Sequence, residues 1–126
     1  MSQPATAPLM ILLAAPYRSG TNDQPVLMER NLHAMERVAL RLYRAGHIPV
    51  IGEWFALPLM REAGSRRVGD AIWDEIQYPV ANRLLAKCDG VLRLPGASKG
   101  ADQDVRLARE RGLTIYERIE DVPGCA

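Results

Sequence analysis

The sequence predicts a single α/β domain built on a doubly wound, mainly parallel sheet of four or five strands, and three observations carry that expectation. The first is a set of short apolar runs at 9–14, 47–52, 90–94 and 113–116, which lack the polar alternation of half-solvated strands and suit strands buried on both faces. The second is that stretches with apolar residues at spacings of three and four lie between those runs, so that strand and helix alternate. The third is size: 126 residues without an internal repeat make one domain, with a core that needs no metal or disulfide.

Residues 1–8, rich in Ala, Pro and Thr, read as a loose tail ahead of the domain at 9–126. The run at 9–14 is the first strand, ended by Ala15-Pro16. A polar loop follows from Tyr17, and Asn22 or Asp23 is placed to cap a helix whose first turn holds Pro25. Met28, Leu32, Met35, Ala39 and Leu42 form the inner stripe of that helix, and Gly46 closes it. The second strand, 47–52, contains Pro49, which cannot donate to a neighbour's ladder and so points to a sheet edge.

Glu53, Trp54 and Phe55 come directly after that strand, where the two aromatics could wall a pocket or cap the core. The signal then fades, and 59–68, with Arg61, Arg66 and Arg67 around Gly64-Ser65, reads as a flexible loop or lid or a solvated connection. Ile72, Ile76, Val80 and Leu84 recur at every fourth position, so 70–87 is helical, with Pro79 expected to kink or divide it. The third strand, 90–94, leads into a small-residue turn and a helix starting near Ala101, with Ala101, Val105 and Ala108 on its inner face and Gly112 at its end. A fourth strand at 113–116 and a last turn at 119–122 complete the chain.

Composition narrows the function. Sixteen basic and fifteen acidic residues leave a net charge of +1, so there is no field suited to a nucleic-acid polymer and no block of like charge suited to a membrane surface. The apolar run from Leu9 is too short for a bilayer and has no basic segment before it, which argues against a transmembrane helix or a secretory signal. Cys88 and Cys125 show no paired spacing, and a reducing cytoplasm is expected. The expected partner is a small molecule.

With strand order 2-1-3-4 the domain is a three-layer sandwich of the flavodoxin-like or Rossmann-like kind. The connections after strands one and three then leave on opposite faces and open a crevice at the strands' C-terminal ends. Tyr17-Arg18 and the stretch 95–104 meet there, with Glu53-Trp54 on the adjacent rim. Ser98 and Gly100 suit a turn whose backbone N–H groups point outward at a helix start, a place for an anion or polar ligand. Asp104 lies in the first turn of the same helix, where its carboxylate could face whatever the turn holds.

The ordered set Ala15-Pro16-Tyr17, Asn31, Ala45-Gly46-His47-Ile48-Pro49-Val50, Cys88-Asp89-Gly90-Val91 and Ser98-x-Gly100-Ala101-x-x-Asp104, with Ala108 and Gly112, resembles the nucleoside 2-deoxyribosyltransferase-like superfamily, and within it a branch of small proteins. The resemblance runs from Leu9 to about Val122. It implies cleavage or transfer of the N-glycosidic bond of deoxynucleosides or their monophosphates, by a carboxylate that attacks the anomeric carbon and forms a covalent glycosyl-enzyme intermediate.

The family's nucleophile is a Glu at the start of the helix after the Ser/Gly turn; the matching residue here is Asp104, a carboxylate set back by one carbon, roughly 1.5 Å. Tyr17 matches a catalytic-site position after strand one, and Arg18 is a candidate for a bidentate phosphate contact. Ser98 and the N–H groups near Gly100 would hold phosphate or sugar hydroxyls, Trp54 would stack on the base, and Glu53 would line the rim as a substrate-binding residue. A second acid of the family, near the start of the helix before strand three, is missing, because Ala81-Asn82-Arg83 stand there. The resemblance also implies a homo-oligomer.

Other constellations fail. His33 and His47 lie apart without Cys or clustered carboxylates nearby, so no metal is expected, and His47 reads as a turn residue. Neither Arg18-Ser19-Gly20 nor Gly96-x-x-x-Gly100 has phosphate-loop or dinucleotide spacing, and no cofactor is expected. The alternatives to an N-glycosidase or transferase are a nucleotide-binding module without catalysis and a small oligomeric interaction protein.

Overall fold

The computed structural model describes residues 7–126; residues 1–6 of the expected tail lie outside them. Four strands, β1 (Met10–Ala14), β2 (Ile48–Val50), β3 (Gly90–Arg93) and β4 (Thr114–Tyr116), form one sheet in the order β2-β1-β3-β4. Every pairing is parallel, with Leu12 opposite Val50 on one side and Val91 on the other. The helices are α1 (Pro25–Arg44), α2 (Gly52–Glu62), α3 (Ala71–Leu85) and α4 (Lys99–Glu110), followed by a short 3-10 turn at Ile119–Asp121. None of them is long and apolar enough to cross a membrane.

Alternation along β1 divides the core. Ile11 and Leu13 point to one face, where Met35, Ala39 and Leu42 of α1 pack with Val122 and Cys125. Leu12 and Ala14 point to the other, against Leu85 of α3 and Ala101 and Ala108 of α4. Burial on both faces is why the strand reads as an unbroken apolar run. A third cluster, Ala56, Met60 and Trp73, joins α2 to α3.

Three local expectations are corrected. Neither Asn22 nor Asp23 caps α1: both adopt positive φ, 50° and 58°, and the N-cap is Gln24, which makes no side-chain cap bond. The Asp23 carboxylate is instead taken up by Arg18, at 2.6 and 3.0 Å. The stretch after β2 is helical through Glu62, and the following turn wraps around Asp70, whose side chain accepts from Ser65 and from the N–H groups of Arg66, Arg67, Ile72 and Trp73. Pro58 and the loose periodicity hid this helix. Pro79 does not divide α3: it removes the N–H that would serve the Glu75 carbonyl, but Trp73, Ile76 and Val80 belong to the cluster with α2 that holds the turns on either side.

His47 is a buried clasp, beyond its expected role in a turn. Its Nδ1 accepts from the Leu9 N–H at 3.1 Å, which places the ring proton on Nε2, and Nε2 donates to the Pro123 carbonyl at 2.6 Å. One ring thus ties the entry of β1 to the C-terminal segment. Replacing His47 with Leu leaves both backbone groups unpaired and should lower unfolding stability by about 2–3 kcal/mol, measured as a reduced urea midpoint with unchanged slope.

Candidate functional site

A cleft of about 540 Å³ opens at the C-terminal ends of β1 and β3. This is the crevice where the chain paths diverge, α1 leaving toward one face of the sheet and α4 toward the other. The loop after β1 contributes Tyr17 and Arg18, the first turn of α2 contributes Glu53, α3 contributes Gln77, Tyr78 and Ala81, and the start of α4 contributes Ser98, Gly100 and Asp104.

Each wall is anchored by identifiable bonds. Asn31 of α1 donates to the Tyr17 carbonyl at 2.8 Å and fixes the chain after Pro16. On the other wall, Gly96 has φ +117°, and a Cβ there would stand 2.6 Å from Pro16 Cγ, so the two loops approach as closely as glycine allows. Arg93, the last residue of β3, donates to the Leu94 carbonyl at 2.5 Å, the Gly96 carbonyl at 2.9 Å and Asp102 Oδ1 at 3.0 Å. It staples the turn to the first turn of α4. Ser98 is the N-cap of α4, its hydroxyl accepting from the Ala101 N–H at 3.1 Å.

The cleft is acidic inside. Asp104 and Glu53 are only partly exposed, and among the described residues neither is held in a salt bridge. Burial raises the Asp104 carboxyl to about 7, helped by the negative charge of Glu53 and opposed by the Arg93 guanidinium. Burial also raises Glu53, against a hydrogen bond from its own backbone N–H at the start of α2. The Tyr17 phenol is raised by burial, then by Glu53 and Glu29, and therefore remains a hydrogen-bond donor. These couplings bring Tyr17, Glu53 and Asp104 into one electrostatic unit.

Six of the seven residues singled out in the sequence line the cleft: Tyr17, Arg18, Glu53, Ser98, Gly100 and Asp104. Trp54 does not. It lies one position round α2 from Glu53, and its Nε1 donates to Glu36 of α1 at 2.8 Å, on the outside of the domain. The aromatic at the cleft in addition to Tyr17 is Tyr78, which is half exposed.

The turn also differs in detail. The residue with positive φ is Gly96, whereas Gly100 sits within the first turn of α4 with open space above it. Arg18 lines the cleft, but its Nε and Nη2 are engaged by Asp23 and its guanidinium lies 5.8 Å from the Trp73 ring. Arg93, Gln77 and Tyr78 were missed by sequence reasoning. A lone basic residue closing an apolar strand was the available signal for Arg93; Gln77 and Tyr78 had none, because the facing of α3 depends on how it packs against α2.

In comparisons with known proteins, no protein-family model matches the chain and no curated protein matches it.

Proposed function

We propose that the protein cleaves or transfers the N-glycosidic bond of a deoxynucleoside or its monophosphate, with Asp104 as the nucleophile that attacks the anomeric carbon. The observation that carries this reading is the Asp104 carboxylate in a cleft of ligand size, with Tyr17 and Glu53 in the same electrostatic unit and the N-terminal turn of α4 alongside. Attack by the ionised carboxylate forms the C1′–O bond as the C1′–N bond breaks, and water or an acceptor base then displaces Asp104. Tyr17 donates to the carboxylates or the sugar. Ser98 and the free N–H groups near Gly100 hold a sugar hydroxyl or a phosphate, and Tyr78 offers the base a face at the mouth.

The proposed setting is the cytoplasm and a homo-oligomer, for which exposed Phe55, Leu59 and Tyr43 supply apolar surface. The experiment is incubation with a panel of deoxynucleosides and their 5′-monophosphates, following free base by chromatography. Base release abolished in Asp104→Ala supports the reading. Thermal stabilisation by nucleotides without release supports the second one, a binding module, which is favoured by an Asp104 that is half neutral near pH 7.

The Arg18–Asp23 pair bears on the choice between nucleoside and nucleotide. While Asp23 occupies the guanidinium fork, Arg18 has little capacity for a bidentate phosphate contact. Asp23→Asn should free Arg18 and tighten binding of a 5′-monophosphate by about 5- to 10-fold relative to the nucleoside, read by calorimetry. The pair itself is exposed, so stability should hardly change.

A further inference from the structure

The sheet order sets two carboxylates on either side of the end of β1. Glu53 rises from the α2 turn that follows β2, and Asp104 from the α4 turns that follow β3, with β1 and Tyr17 between them. Strands β2 and β3 are about 9–10 Å apart across β1, a separation that two side chains leaning inward can bridge around a sugar. Glu53 is partly buried and lines the cleft. Among the described residues no salt bridge holds its carboxylate, and withdrawing such a group from water carries a cost.

We propose that Glu53 is the proton donor and acceptor of the reaction attributed to Asp104, supplied from α2 in place of an acid on α3. This inference rests on the glycosidic reading above. On α3 the cleft is lined by Gln77, Tyr78 and Ala81, none of which can deliver a proton as a carboxylic acid. The charged and titratable groups facing the pair are Tyr17 and Arg18 from the β1 loop, Arg93 at the end of β3, and Lys99 on α4, with Glu29 of α1 acting on Tyr17. Burial raises both carboxyls and the charge of Glu53 raises Asp104 further, so the two groups resist ionising together; the reaction draws on the state in which Asp104 is ionised and Glu53 keeps the proton.

The proton count closes over a cycle. Asp104, ionised, forms an ester bond to C1′ while the C1′–N electron pair goes to the base nitrogen, which takes the proton of Glu53. Glu53, now a carboxylate, removes a proton from water as its oxygen attacks C1′. The Asp104 ester bond breaks with its electron pair returning to the carboxylate, and Glu53 is again protonated.

Leaving-group dependence tests the role. In a single turnover, Glu53→Gln should slow base release from 2′-deoxyadenosine by about 10²- to 10⁴-fold, but leave the first release from 7-methyl-2′-deoxyguanosine within about threefold of wild type, because that base departs without needing a proton and the water step that also uses Glu53 comes after it. Asp104→Asn should lose both. Formate should restore release from 2′-deoxyadenosine in Glu53→Ala, which keeps the test informative if the Gln variant is poorly folded. Equal losses on the two substrates in Glu53→Gln, or no loss on either, would overturn the inference.

Should wild type release base from neither substrate, the glycosidic reading itself has failed, and with it the role of Glu53 as its proton donor. Carbon-13 titration of the Asp104 carboxyl then judges the pairing separately. A midpoint that falls in Glu53→Gln supports the coupling, and an unchanged midpoint refutes it.

Discussion

Asp104→Asn should eliminate base release, with a loss on the order of 10⁴-fold or more in kcat, because an amide of the same shape can occupy the cleft but cannot form the glycosyl ester. The same variant should be more stable than wild type at alkaline pH. In the folded protein the Asp104 carboxyl is raised from 3.8 to about 7 by burial and by Glu53, whereas the unfolded chain ionises it near its ordinary value. Between those two values the folded state binds the extra proton, so stability falls as pH rises, and the full cost is present above about 7. That cost is as much as ~4 kcal/mol. Urea unfolding should therefore show the Asn variant ahead of wild type at pH 8, with the advantage disappearing below pH 4.

Arg93→Met should produce the next largest effect, on stability and on chemistry together. The guanidinium carries three hydrogen bonds across the β3 end, the Gly96 turn and Asp102, and its side chain is only 20 % exposed. Losing them should cost about 2–3 kcal/mol in urea unfolding. Its positive charge also opposes the rise of Asp104. Without it Asp104 ionises at still higher pH, so the acid limb of the rate profile should move upward and the rate at pH 7 should fall. Arg93→Lys, which keeps charge but loses the planar fork, should restore the pH limb more fully than the stability.

The strands, their order and the edge position of β2 were legible because burial on both faces leaves uninterrupted apolar runs, and because Pro49 excludes a central ladder. Helices α1 and α4 were legible from their amphipathic stripes. Helix α2 was not: it packs through Ala56 and Met60 onto α3, leaves Trp54, Phe55 and Leu59 exposed, and contains Pro58, so its pattern reverses the usual guide to inside and outside. That one miss explains why Trp54 was assigned to the cleft, when one step round the helix turns its indole to Glu36.

The cleft's position followed from topology alone, since loops after β1 and β3 must diverge there. The use of Arg18 and Ser98 for internal bonds to Asp23 and Ala101 did not, because local sequence does not reveal which polar group satisfies which neighbour. The same holds for Glu53, which the sequence sets on the rim and the fold brings into the lining of the cleft with Asp104.

The most direct measurement is the intact mass of the protein quenched in acid during turnover of a deoxynucleoside, followed by peptide mapping. A protein heavier by one deoxyribosyl unit, with the addition on the peptide containing Asp104 and absent from Asp104→Asn, is the predicted result. Steady release of free base with no adduct at Asp104, and with undiminished release in Asp104→Asn, would contradict it.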